Sequence, residues 1–228
     1  MTSTYTGVVT PGGPADTREL THLRITKVAV DEKMHNDCYL LRCKHTGEQL
    51  LIDAAAEADV LLPLIGPEGD RALATVVTTH QHWDHHRALK EVVDATGAVT
   101  VAGEPDASAV TEATGVAIDR AVGQGDTVTV GECTLEVIAL RGHTPGSIAL
   151  LYDDPDGHPH LFTGDSLFPG GVGNTQKDPA RFAQLINDVG ERIFQRLPDE
   201  TWFYPGHGDD STLGVERPHL AEWRERGW

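Results

Sequence analysis

The chain has 228 residues, with 39% hydrophobic and 23% charged side chains, and a formal net charge of -17 from 18 basic and 35 acidic residues. This composition supports one sizeable α/β core and excludes a low-complexity or disordered chain. The acidity argues against a nucleic-acid backbone or an anionic membrane surface as the main partner, and no apolar run is long enough to cross a bilayer.

Residues 1–20 lack a basic stretch followed by an apolar core, so they read as an N-terminal arm rather than a signal peptide, with one domain over 21–228. Cys38, Cys43 and Cys133 are odd in number and form no C-x-x-C pair, which points to reduced thiols in a cytoplasmic protein. Cys38 and Cys43 lie five apart in a strand-like run and so face opposite sides.

Runs rich in Val, Ile, Thr and Tyr, bounded by Gly, Pro or Asp, predict strands at 23–30, 38–43, 49–53, 74–79 and 98–103 in the first half. The second half has strands at 126–130, 133–140, 147–152, 160–164 and 201–205. Helices are expected at Glu57–Leu64, His85–Ala95, Asp106–Thr114 and Glu216–Glu225. The clearest helix is 178–198: Asp178 caps it, Pro179 opens it, and Phe182, Leu185, Ile186, Val189, Ile193 and Leu197 form one apolar face. Strands and helices in both halves suggest stacked sheets with helices outside.

The stretch THQHWDHH follows the strand at 74–79 and holds four histidines and an aspartate. Residues two apart in an extended strand end face the same way, so His80 and His82 can reach one point, while Asp84 and His85 aim at a neighbouring one. Imidazole nitrogen plus carboxylate oxygen suits zinc, and also iron or manganese. A solvated polar turn would have the same composition. Three further candidates follow apolar strands beside glycine, namely His143 in RGHTPG, Asp165 in TGDS and His207 in PGHG.

The ordered motifs H-x-H-x-D-H, G-H-T-P-G, T-G-D and P-G-H-G resemble those of the metallo-β-lactamase superfamily, over about residues 23–215. The resemblance implies an αββα sandwich with its site at one edge between the sheets. It implies two divalent metal ions, with zinc expected. One would be held by His80, His82 and His143, the other by Asp84, His85 and His207, with Asp165 bridging. It further implies a shared hydroxide that attacks an acyl carbonyl, with Asp84 as the catalytic residue that orients it. Asp53 resembles the family's buried aspartate that supports the site through hydrogen bonds, although a plain turn or cap is an equal reading.

Asp165 and the stretch GDSLFPGGVGN resemble the glyoxalase-II-like branch, whose substrates are small acyl thioesters. Gly171 and Asn174 are the candidate substrate contacts. The chain departs from that branch at Asn174 and Gln176, where a basic residue and a tyrosine hold glutathione, and at Asp209, where another tyrosine stands. A different thiol carrier or a different ester is therefore open. A persulfide dioxygenase, with one iron on His80, His143 and Asp165, is a second reading. A lactonase is weakened by Phe168 in place of a tyrosine, and a non-enzymatic relic is a third class. His86 and the pair His158 and His160 read as packing or turn residues, and Trp83 reads equally as a packing residue or as part of the pocket mouth.

Overall fold

The computed structural model describes residues 4–66 and 73–227. The first sheet has seven strands in chain order. They are β1 (Asp16–Glu19), β2 (Leu23–Val30), β3 (Asn36–Cys43), β4 (Gln49–Ile52), β5 (Leu73–Thr78), β6 (Val99–Gly103) and β7 (Arg120–Val122). Pairing is antiparallel from β1 to β4 and parallel from β4 to β7. Helices α1 (Ala58–Ile65), α2 (Leu89–Thr96) and α3 (Glu104–Thr114) make the parallel crossovers.

The second sheet contains β8 (Thr127–Val130), β9 (Cys133–Ala139), β10 (Ile148–Tyr152) and β11 (His160–Gly164) as a meander. A small hairpin of β12 (Leu167–Phe168) and β13 (Gly171–Val172) and helix α4 (Pro179–Val189) then lead to β14 (Trp202–Pro205), parallel to β11. Strand β15 (Ser211–Thr212) closes the edge, followed by α5 (Leu213–Glu216) and α6 (Leu220–Arg226). No helix among the described residues is long and apolar enough to cross a membrane.

Strand alternation sorts the apolar side chains into three layers. Tyr39, Leu41, Cys43, Leu50, Ile52, Leu135, Val137, Leu150, Phe162 and Tyr204 pack between the sheets. Their chain neighbours point outward: Cys38, Leu40 and Leu51 lie under α1 and α2, and Ile138, Ala149, Leu161 and Phe203 lie under α4 and α6. This is the expected αββα sandwich. Cys38 and Cys43 fall in different layers, as their spacing requires.

Helix α4 follows its sequence closely. Asp178 accepts from the Ala180 and Arg181 N–H groups, and all six residues of the expected apolar face enter the outer core. It differs in ending at Val189 and widening into a π turn over Gly190–Phe194.

Other expectations shift. The helix expected from His85 begins only at Leu89, because the Arg87 and Ala88 N–H groups donate to Ala55 and Ala54 rather than inside a helix. The C-terminal helix is split by a 3-10 turn at Arg217–His219, where Pro218 offers no N–H. Residues 16–19, expected as part of the arm, form edge strand β1. The short strands β7, β12, β13 and β15 carry too few residues for an alternating pattern to register.

One buried cation ties the start of the chain to its end. Lys27 on β2 has 0% exposure, and its Nζ donates to the carbonyls of Gly7 (2.8 Å) and Gly208 (2.6 Å) and to Asp210 Oδ1 (2.8 Å). Asp37 Oδ2 stands 3.1 Å from the same nitrogen. Asp210 also accepts from the Tyr5 hydroxyl and the Trp202 indole. One ammonium thus faces two buried carboxylates. Burial pushes the Asp37 carboxyl from 3.8 up to about 7, against the opposing pull of Lys27.

The folded state therefore holds this proton more tightly than the unfolded chain. The stability Asp37 contributes is complete below its unfolded value of 3.8 and is lost as pH rises through about 7. Denaturant titrations of the wild type and Asp37→Asn across that window should differ in slope, the wild type losing stability with rising pH and the variant being flatter. Parallel slopes would show that Asp37 is ionised throughout.

Candidate metal centre

The loops after β5, β9, β11 and β14 meet at one edge of the sandwich, where glycines let backbone approach closely. A Cβ on Gly206 would stand 2.3 Å from Asp165 Oδ1, and one on Gly173 would stand 1.8 Å from the Asp165 carbonyl oxygen.

All seven expected ligands converge there. Their donor atoms form three sets, each within 4.8 Å: His80, His82 and His143; His80, His85 and Asp165; and Asp84, His85 and His207. Asp165 lies between the two histidine groups, with Oδ2 3.6 Å from His143 Nε2 and 3.5 Å from His207 Nε2, and Oδ1 3.4 Å from His85 Nε2.

The orientation of the rings is the informative part. His143 Nδ1 donates to the Asn174 carbonyl at 2.8 Å, and His207 Nδ1 to the Met34 carbonyl at 2.8 Å. His85 Nδ1 is held by Asp53 Oδ2 at 2.8 Å. The Thr79 hydroxyl donates to Asp53, so it accepts from His80 Nδ1 at 3.0 Å. Four rings therefore use Nδ1 as the outer donor and turn Nε2 inward. Those inward nitrogens face one another in pairs, His80 to His143 at 3.3 Å and His85 to His207 at 3.2 Å. Facing lone pairs beside two carboxylates create a demand for positive charge. Asp165 Oδ1 is buried and makes no well-formed hydrogen bond despite its nearness to His85. The donor set fits one or two divalent ions.

Among the protein groups alone, the charges divide the cluster. Burial drives His80 and His82 down and brings His143 to about 4, leaving these rings neutral. Burial acts on His85 and His207 in the same direction, but Asp165, with Asp53 for His85 and Asp84 for His207, outweighs it and lifts His207 to about 10. Burial opposes ionisation of Asp84 and Asp165 too. The facing histidines win and hold both carboxyls below their usual range, with Asn36 Nδ2 donating to Asp84 at 3.1 Å. Ion binding would thus displace protons from His85 and His207.

The remaining expectations divide. Asp53 follows β4 in a left-handed conformation (φ 58) and binds the Thr79 N–H, the Thr79 hydroxyl and His85. Asn174 orients His143 through its carbonyl, while its side chain accepts from the Gln176 N–H. Gly171 pairs with Phe168 and faces Arg226. Neither Asn174 nor Gly171 lines the cavity of about 670 Å³ beside His82, whose walls include Gln81, Arg141, Thr144, Gln176, Arg181 and Gln184. His86 lies outside the cluster and meets the Gln81 carbonyl, and Trp83 is exposed against Arg87. His160 is a core residue bonded to Tyr204.

Three supports carry no sequence signal. Asp106 accepts from the Thr144 hydroxyl and from the Gly146 and Gln81 N–H groups, bracing the loops of His82 and His143 together. Arg181 donates to the carbonyls of Gly142 and His143. Asn36, which donates to Asp84, lies just before the strand expected at 38–43.

The sequence family described as the metallo-beta-lactamase superfamily matches residues 32–207. The chain belongs to this superfamily. It is 33% identical over 184 residues to a hydroxyacylglutathione hydrolase of Polaromonas sp., covering 80% of this chain and 66% of that protein. It is 31% identical over 169 residues to the mitochondrial persulfide dioxygenase ETHE1 of Mus musculus, covering 74% and 62%. The chain thus spans less than two thirds of either relative's length. The crystal structure of ETHE1 from Myxococcus xanthus superposes with a TM-score of 0.74 at 30% identity, over 88% of this chain and 84% of that one.

Asp53→Asn should weaken metal retention about 10- to 100-fold, because His85 loses the carboxylate that fixes its ring. Competition against a chelator measures this, and unchanged retention would reduce Asp53 to a turn residue.

Proposed function

We propose that this chain is a binuclear metallohydrolase that cleaves a small acyl thioester or ester. One observation carries the reading: seven converging donors, with Asp165 set between two histidine groups. His80, His82 and His143 would hold one ion, Asp84, His85 and His207 the other, and Asp165 would touch both. Zinc is the expected metal, and the same donors suit iron or manganese. When bound, such ions supply an acidified water and polarise a carbonyl.

The protein's own groups do the rest. Asp84 Oδ2, steadied by Asn36 and 3.4 Å from His207 Nε2, is an ionised acceptor at the edge of the cluster, placed to orient a nucleophile. The cavity beside His82 has room for an acyl or thiol portion, and Arg181 and three glutamines offer it polar contacts. The likeness to the hydroxyacylglutathione hydrolase supports thioester cleavage. The glutathione-holding residues of that branch are replaced by Asn174 and Gln176, which favours another thiol carrier. The acidic chain favours a small molecule over nucleic acid or membrane as its partner.

Persulfide oxidation is the second reading. It is favoured by the likeness to ETHE1 and by the presence of His80, His143 and Asp165. Against it stands Asn174, at the position where the resemblance to that class implies an arginine.

Metal analysis with parallel assays on S-acyl thioesters and persulfides separates the two. Two metals per chain with thioester cleavage is the expected result. One iron with oxygen consumption would replace it with the dioxygenase. Asp165→Ala should lower metal content and turnover together, and a variant that keeps both would remove Asp165 from between the ions.

A further inference from the structure

Away from the metal centre, a cavity of about 430 Å³ gathers side chains that the proposed hydrolysis does not use. Cys43, Cys133, His22, His45, Glu132 and Tyr152 are among its walls. Cys43 ends β3 of the first sheet and Cys133 begins β9 of the second. The other end of β3, at Asn36, touches the metal centre, so the two places are roughly 23 Å apart along about seven extended residues.

The two thiols are neighbours. Both belong to the core between the sheets, and both line this one cavity. Cys133 Sγ also lies 3.7 Å from the His22 carbonyl. A Cβ on Gly131, in the turn before Cys133, would stand 2.8 Å from Cys43 Sγ. The third cysteine, Cys38, lies in the outer layer.

The pair is asymmetric. Burial works against ionising Cys43, but the Thr46 hydroxyl and the N–H groups of Thr46, Glu132 and His45 gather at its sulfur and bring it down to about 7. Burial, then the charge of Cys43, pushes Cys133 up to about 11. One member is a ready nucleophile, and the other keeps its proton. Buried cysteines that serve only as small apolar fillers have no need of such surroundings. Here the rim is polar, with His22 against Asp156 at 3.2 Å and His45 against Glu132 at 2.7 Å.

We propose that Cys43 and Cys133 form a reversible dithiol–disulfide site, oxidised by hydroperoxides through this cavity, that straps the two sheets together at the end away from the metal centre. The Cys43 thiolate attacks a peroxide oxygen. The O–O bond breaks, a sulfenic acid forms, and hydroxide leaves. That hydroxide takes the Cys133 proton to give water. The Cys133 sulfur then attacks Cys43, the S–S bond forms, and the S–O bond breaks. The second hydroxide recovers the proton that Cys43 had given to solvent. Two thiols are oxidised and one hydrogen peroxide is reduced to two waters, and a dithiol reductant reverses the change.

The test uses the full-length, metal-loaded protein with stoichiometric hydrogen peroxide, and it reads out independently of any hydrolysis. Thiols titrated after denaturation should fall from three to one. The intact mass should drop by two hydrogens, and peptide mapping should link 43 to 133. The melting temperature should rise by roughly 5–10 °C and return with dithiothreitol. Cys133→Ser should leave Cys43 as a sulfenic acid that dimedone captures, which the wild type does not. Three remaining thiols, oxygen adducts without a link, or a link to Cys38 would overturn the site, and these wild-type readings do not require either variant to fold.

Discussion

The structure turns on how its imidazoles are held. Four rings are fixed from outside at Nδ1, by Thr79, Asp53, Asn174 and Met34, and so have no choice but to aim Nε2 at a common volume. A ring that donates outward carries a bare lone pair inward, and lone pairs 3.2–3.3 Å apart repel unless a cation stands with them. The protein-only compromise is to protonate His85 and His207 beside Asp84 and Asp165. A divalent ion answers the same demand with more charge at less volume. The site is therefore better described as a fixed shell of donors than as a set of flexible side chains awaiting a partner.

That shell needs both sheets at once. His80, Asp84 and His85 arrive from β5, and His143, Asp165 and His207 arrive from β9, β11 and β14. The apolar layer between the sheets sets the distance across which they meet, and the ring contacts among Tyr39, Phe162 and Tyr204 fill its middle. Tyr39 also donates to the Pro205 carbonyl at 2.6 Å, just before His207. Core packing and ligand placement are thus continuous.

Much of this was legible beforehand, for identifiable reasons. Ten of the eleven strands of four or more residues were visible as runs rich in Val, Ile, Thr and Tyr between Gly, Pro or Asp, and only β1 was not. The ligands were visible because histidine and aspartate beside glycine at strand ends have few other uses. The supports were not. Lys27 interrupts the apolar face that Leu23 and Ile25 share in LRITKVAV, yet it is fully buried because partners from positions 7, 37, 208 and 210 surround it. Asp106 looks like a first-turn helix acid, and only the fold brings Thr144 and Gly146 to it. The helix expected from His85 failed because local periodicity does not register the carbonyls of Ala54 and Ala55 that intercept its first N–H groups. Long-range hydrogen bonding is the part of the fold that a one-dimensional pattern does not carry.

The Lys27 cluster also imposes an order on assembly. Its ammonium is met early in the chain, but two of its partners, Gly208 and Asp210, come near the end. During synthesis, the hairpin of β2 and β3 must therefore keep this lysine hydrated or partly paired until β14 and the loop after it have emerged. The segment around Tyr5 and Gly7, which docks on the same cluster, is made before all of these partners and is among the last that can settle. Completion of the N-terminal edge becomes a check that the C-terminal strands, and with them the loop carrying His207, have taken their places.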